Sequence, residues 1–319
     1  MSDQTLSIKT IVVCIDFTAA SDLALRYARR FADHWDGKLV LVHIVDSATI
    51  SPEEMDAHLA LHNIIDSAKA DMQTISAGLT AENVKNSWIV RHGNVRDMIL
   101  EVVRDNHADL MVLGSKGTVL SGRPRFGTIA EQLVRASPCP VLTVVPEARW
   151  QELEDGHQRL LVVPTNFSAA SQAAFLYALA FAKSVGGSLL LVHAVDYSFA
   201  AEPIAEELAE LRSKDIHTLL ESARAANVKA ESLVRTGDAS ELVLQIARER
   251  QADCIVMGVR GGDQVDGTRL LGRVQGLMHR SPCPLISIYL PGSHRIVSPK
   301  GSELPKSLPE SPPPSLARM

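Results

Sequence analysis

LVLVHIVD (39–46) returns as LLLVHAVD (189–196), identical at six of eight positions. Both runs are dominated by Leu and Val, with a formal charge only at the end. A run of that length and β-branched content reads as a strand buried on both faces, as in parallel sheets. The repetition extends outward in both directions. FTAAS (17–21) matches FSAAS (167–171), again 150 residues on. RHGN (91–94) matches RTGD (235–238), HADLMVLGSKG (107–117) matches QADCIVMGVRG (251–261), and SPCP (137–140) matches SPCP (281–284), all now 144 residues on. Five matches in one order define a duplication. The drop of six in the offset makes the second copy shorter in one connecting helix.

Within copy one, TIVVCI (10–15), KLVLVHIV (38–45), NSWIV (86–90), DLMVLG (109–114) and VLTVV (141–145) read as five strands. Helices are expected over about 21–33, with Ser21-Asp22 as its capping start, and over 52–78, 94–107 and 128–137. The third of these has apolar residues at 95, 98, 99, 102 and 103, the spacing of one helical face. Strands alternating with helices predict right-handed βαβ units and a parallel sheet. The expected organisation is a first domain over 1–147, a charged linker over 148–158, a second domain over 159–291 and a tail over 292–319. From Pro291 onward the chain carries seven of its sixteen prolines and few periodic apolar residues, which reads as disorder. Pro309-Glu310-Ser311-Pro312 in that tail has PxxP spacing.

Composition removes several function classes. A net charge of −5 leaves no basic footprint for nucleic acid. No apolar run reaches the ~18 residues that a membrane helix needs. MSDQTLSIKT at the start has no signal-peptide pattern, so a cytoplasmic protein is expected. Aromatics are only 4% of the chain, so the core must be aliphatic. Four cysteines make no disulfide framework. Cys14 and Cys254 lie in strands, and Cys139 and Cys283 lie between prolines; all four read as small buried hydrophobes. The two SPCP segments read as the approach to an edge strand. His43 and His193 sit inside matching strands and read as satisfied core residues, and no Cys/His spacing suggests zinc.

The chemistry is concentrated after the fourth strand. VLGSKGTVLSGRPRFGTIAEQLV runs Gly114, two residues, Gly117, nine residues, then Gly127-Thr128 at the start of a helix. Glycines let a backbone approach an anion closely. The free N–H groups of a first helical turn favour phosphate. Lys116, Arg123 and Arg125 lie in the loop, and no acid occurs between 114 and 130. Asp16 stands at the carboxyl end of the first strand, the edge where doubly wound sheets bind ligands. It reads either as a hydrogen-bond acceptor for a ribose or base, or as a cap for the next helix. The loop is neither a Walker A motif nor a dinucleotide fingerprint.

VCIDFTAAS, VHIVD and the Gly-x2-Gly-x9-Gly-Thr loop before SPCPVLTVV together resemble the universal stress protein family, over roughly 7–146 and 158–290. The resemblance implies two tandem Rossmann-like (adenine nucleotide alpha hydrolase-like) α/β domains, each with a five-stranded parallel sheet of order 3-2-1-4-5 flanked by helices. It implies ATP or a related adenine nucleotide, with or without Mg2+, held by Ile15, Asp16, Ile44, Leu113, Gly114, Lys116, Gly117, Gly127, Thr128 and Ile129. The family varies at the position of Lys116. Single-domain members pair through their fifth strands. VLTVV (141–145) and LISIYL (285–290) are therefore expected to pair within this chain as an intramolecular pseudo-dimer. A further homo-oligomer or a separate protein partner stays open.

Copy two departs from the pattern. Asn166 replaces Asp16, and nine residues beyond Gly261 the count lands on Leu271, with Gly272-Arg273 one place late. The loop also gains Asp263 and Asp266. Nucleotide is therefore expected in copy one. No catalysis is expected, because no second carboxylate joins Asp16 to hold a metal beside the loop. The expected function is a stress-response regulator whose nucleotide tunes its shape or partner choice. The alternatives are a scaffold that binds no nucleotide and a slow ATPase.

Overall fold

A computed structural model describes residues 6–46, 57–115, 118–120, 123–125, 128–145, 159–195, 215–260, 276–278 and 280–291. Copy one supplies β1 (Thr10–Cys14), α1 (Ala19–Trp35), β2 (Lys38–Asp46), α2 (Ala57–Ala81), β3 (Asn86–Gly93), α3 (Val95–Asp105) and β4 (Leu110–Gly114). A hairpin of β5 (Thr118–Leu120) and β6 (Arg123–Arg125) follows, then α4 (Thr128–Val134) and β7 (Val141–Val144). Copy two supplies β8 (Leu160–Pro164), α5 (Ala169–Val185), β9 (Ser188–Val195), α6 over 215–225, β10 (Lys229–Thr236), α7 (Ala239–Glu249), β11 (Cys254–Arg260) and β12 (Leu285–Leu290). The linker over 148–158 and the tail over 292–319, with its PxxP segment, lie outside the described residues.

The sheet order is β10-β9-β8-β11-β12-β7-β4-β1-β2-β3. Each half is parallel and runs third, second, first, fourth, fifth. The halves do not form two separate sheets. β7 and β12 pair antiparallel, Leu142 opposite Ile286, so one ten-stranded sheet results. This corrects the reading of the SPCP segments: they lead into the two central strands, not into an edge.

The alternation of side chains along the strands divides the core into two layers. One lies under α1, α2 and α5 and joins Val13, Leu41 and Leu142 to Leu191, Val256 and Ile286. The other lies under α3, α4 and α7 and joins Val12, Val40 and Val141 to Val162, Ile255 and Leu285. Both layers cross the seam between the copies. Positions that match in the two repeats meet there. Phe31 stacks on Phe181 with centroids 5.8 Å apart, and His34 Nε2 lies 3.3 Å from the Ser184 carbonyl.

Several repeated motifs have local causes. Gly93 and Gly237 have φ of +138° and +141°, a region closed to most side chains, and the next residue caps a helix. Asn94 accepts from the Asp97 amide, and Asp238 from the amides of Ser240 and Glu241. Asp109 Oδ2 accepts from the amides of Lys9 and Thr10, and Asp253 Oδ2 from that of Leu160. The Ala-Asp pairs of the repeat thus fasten the first strand of each half. The α1 start differs from expectation. Thr18 is the N-cap and forms a capping box with Ser21, which brings the helix start forward to Ala19.

Candidate functional site

The sharp turn after β1 builds one wall of the site. Ile15 is buried and donates its amide to the Val42 carbonyl, holding the end of β1 against β2. Asp16 then turns back: its Oδ1 accepts from the Thr18 amide at 3.1 Å and from the Thr18 hydroxyl. Asp16 therefore does not cap α1 itself but steadies the residue that does. Asn166 does the same in copy two, accepting from the Ser168 amide at 3.1 Å. The exchange of Asp16 for Asn166 keeps the turn and removes the charge.

Phe17 and Phe167 follow, with φ of +58° and +61°. A bulky aromatic rarely occupies that region. Each is held by a histidine. The rings of Phe17 and His43 are 4.5 Å apart, and those of Phe167 and His193 are 4.8 Å apart. His43 Nδ1 lies 2.8 Å from the Ile15 carbonyl, and His193 Nδ1 lies 2.8 Å from the Thr165 carbonyl. A carbonyl only accepts, so Nδ1 carries the proton in both. The two histidines latch the second strand to the turn after the first, which explains why both repeats keep them.

Gly114 closes β4 beneath the start of α1. A Cβ there would strike the Ala20 carbonyl, and a Cβ on Gly258 would strike that of Ala170, both well inside 3.0 Å. The first glycine of the loop is thus required by helix-on-strand packing. The segment read as an open loop contains a hairpin, with Thr118 opposite Arg125 and Leu120 opposite Arg123. Lys116, Gly117 and Gly127 lie outside the described residues, as do Asp263, Asp266 and Leu271 to Arg273 of copy two. Thr128 is the first residue of α4.

These elements enclose a cavity of about 260 Å³ between α3 and α4, at the carboxyl ends of β1, β2 and β4. The structure brings Ile15, Asp16, Ile44, Leu113, Gly114 and Ile129 together around it. On the helical side sequence reading named only Ile129 and missed Val95 and Ile99 from α3, and Ala130 and Leu133 from α4. The signal was present in the apolar face of α3 but pointed only to the core. Cys14, Ser21 and His43 complete the lining with Val42.

Burial pushes the Cys14 thiol from the ordinary 9.0 up to about 12, with Cys139 and Asp16 adding to the rise. Burial does the same to Cys139 and Cys283, each to about 12, and lifts Cys254 well above the usual value. The thiols stay protonated at neutral pH, so they are poor nucleophiles. Native protein is expected to resist iodoacetamide at pH 8 and to react at all four cysteines once unfolded, as mass spectrometry will show. An unfolded chain ionises these thiols near pH 9 while the folded one does not. Stability is therefore full below pH 9 and falls as pH rises toward 12. Among the described residues no cluster of three or more His, Cys, Asp or Glu is placed to hold a metal ion, and no helix is long and apolar enough to cross a membrane.

A doubly wound parallel half-sheet with a crevice at its carboxyl edge defines an α/β protein of the Rossmann-like class, in which that edge is where ligands ordinarily sit. The comparisons with known proteins narrow this class. The profile of the Universal stress protein family matches residues 7–145 and 159–288, and the chain belongs to that family. The Universal stress protein E homolog of Haemophilus influenzae is 26% identical over 220 residues, 63% of this chain and 69% of that one. A universal stress protein of Thermus aquaticus is 33% identical over 124 residues, 35% of this chain and 84% of that one. The crystal structure of a universal stress protein from Archaeoglobus fulgidus superposes with a TM-score of 0.70, covering 88% of this chain and 98% of that one at 18% identity. At that identity the likeness is one of fold.

Proposed function

We propose that copy one binds an adenine nucleotide, ATP or a close relative, and that the protein acts as a stress-response regulator in the cytoplasm. The cavity is the observation that carries this reading. Its walls are aliphatic on both sides, from Val42, Ile44 and Leu113 on the sheet to Ile99, Ile129 and Leu133 on the helices. At about 260 Å³ it lies just below the roughly 300–1,000 Å³ of drug-sized sites, a size suited to a planar base rather than a whole nucleotide. Asp16 stands exposed at the rim, where a ribose hydroxyl can donate to it. The glycine-rich sequence pattern assigns the phosphates to Lys116, Gly117 and Gly127-Thr128. Mg2+, where it accompanies ATP, supplies charge neutralisation on the phosphates. Binding rather than catalysis is the proposed activity.

The domain limits follow the two halves, 1–147 and 159–291. Contacts between matching positions, such as Phe31 with Phe181, are what a symmetric interface makes on its two-fold axis. They support reading the chain as an intramolecular pseudo-dimer whose second half supplies the pairing surface.

Nucleotide released on denaturing the purified protein, identified by mass, tests the reading. An adenine nucleotide at up to about one per chain is expected. Its absence, with no thermal shift on adding ATP and Mg2+, sinks the proposal. Ala130→Phe fills the cavity from α4. It is expected to weaken binding roughly 100-fold, the loss of about 2.7 kcal/mol of ring burial. Calorimetric titration measures it, and unchanged affinity contradicts the placement of the base.

A further inference from the structure

Two hydroxyls are buried at the seam where parallel-sheet cores ordinarily carry Val or Ile. Thr143 in β7 is 1% exposed and Ser287 in β12 is 0% exposed. They occupy matching places in the two repeats, 144 residues apart. The register sets Thr143 opposite Leu285 and Ser287 opposite Val141, so the two are diagonal neighbours on either side of the Leu142–Ile286 pair. Val141 and Leu285 belong to the layer under α3, α4 and α7, and alternation along each strand points Thr143 and Ser287 into that same layer. Neither Thr143 Oγ1 nor Ser287 Oγ has a hydrogen-bond partner among the described residues.

A desolvated hydroxyl without a partner is costly, and Val in place of Thr, with the same shape, removes that cost. Two such hydroxyls at matching positions of one seam call for a shared partner. We propose that Thr143 Oγ1 and Ser287 Oγ hold a single buried water between them, tying the two repeats together across β7 and β12. Diagonal residues on an antiparallel pair are about 7–8 Å apart, with their Cβ atoms somewhat closer. A single water bridging the two hydroxyls makes two hydrogen bonds of about 2.8 Å. Each hydroxyl both donates and accepts, so the bridge forms whether the water donates to one oxygen and accepts from the other or donates to both. Leu133, Val134, Leu277 and Met278 of the same layer are buried, which separates the place from bulk solvent.

Thr143→Val, Ser287→Ala and the double variant of the full chain, compared by urea denaturation, test the proposal. Each single variant strips the water of one partner and is expected to lower the folding equilibrium constant about tenfold. The double variant expels the water, so its loss is smaller than the product of the two single losses. A crystal structure of the parent chain is expected to show one ordered density peak within hydrogen-bonding distance of both oxygens. Thr143→Val as stable as the parent or more so, strictly multiplicative losses, or no such peak overturns the proposal.

Discussion

Gly114→Ala is expected to cost about 4 kcal/mol of stability, the upper range for a single substitution that overpacks a core. The added methyl meets the carbonyl group of Ala20 and the amide of Ser21, both backbone, so no side chain can swing aside. Relief requires the first turn of α1 to lift away from the end of β4. That turn carries the capping box, and the preceding residues carry Asp16 and the Phe17–His43 latch, so the carboxyl edge of copy one loosens with it. Urea denaturation of the ligand-free protein measures the loss. Gly258→Ala, which meets Ala170 in the same way, is expected to behave alike although copy two lacks Asp16 and the Gly-Thr pair. Equal stability of the Gly114 variant and its parent would show that the glycine serves a ligand and not the packing.

Ile286→Asp is expected to have a comparable or larger effect, about 4–5 kcal/mol, because it places an unpaired carboxyl at the middle of the sheet. Ile286 is fully buried opposite Leu142 and belongs to a layer shared by both halves. The substitution lies in copy two, yet copy one is expected to unfold with it. Tryptophan fluorescence reads this: of the three tryptophans, Trp35 and Trp88 belong to copy one, Trp150 to the linker and none to copy two, and Trp88 lies in β3 at the far edge of the sheet. A denaturation midpoint by fluorescence that falls together with the midpoint by circular dichroism is the expected result. A copy-one transition left in place would mean that the halves fold independently.

Much of this architecture is legible in the chain because strand runs and repeated motifs are local signals. LVLVHIVD and LLLVHAVD became the second strands of the two halves, and the parallel sheet follows from the βαβ alternation, whereas the strand order came only with the family resemblance. The carboxyl-edge location of the site follows from the same alternation. What escaped depends on groups distant in sequence. The packing role of Gly114 becomes visible only when Ala20, 94 residues earlier, is placed beside it. The helical wall of the cavity, Val95, Ile99, Ala130 and Leu133, carries the same apolar spacing as any core face. The hairpin of Thr118–Leu120 and Arg123–Arg125 has strands of only three residues, too short for a period to register. The cap is Thr18 in place of the expected Ser21-Asp22 start, and the Ser21 hydroxyl bonds back to the Thr18 carbonyl.

The antiparallel join of β7 to β12 sits inside a single polypeptide. Two free subunits meeting through such strands would separate on dilution, and their pairing would track cellular abundance. A tether converts that encounter into an intramolecular one at an effective concentration near the millimolar range. The assembly therefore holds at one copy per cell as firmly as at thousands. Fusion also releases each half from having to match itself. A homodimer must carry every substitution twice, whereas here α1 has the exposed Arg26 and the ion-paired Arg29 where α5 has Leu176 and Leu179 packed against the core. Each half is free to drift toward its own task while the shared join keeps them in step.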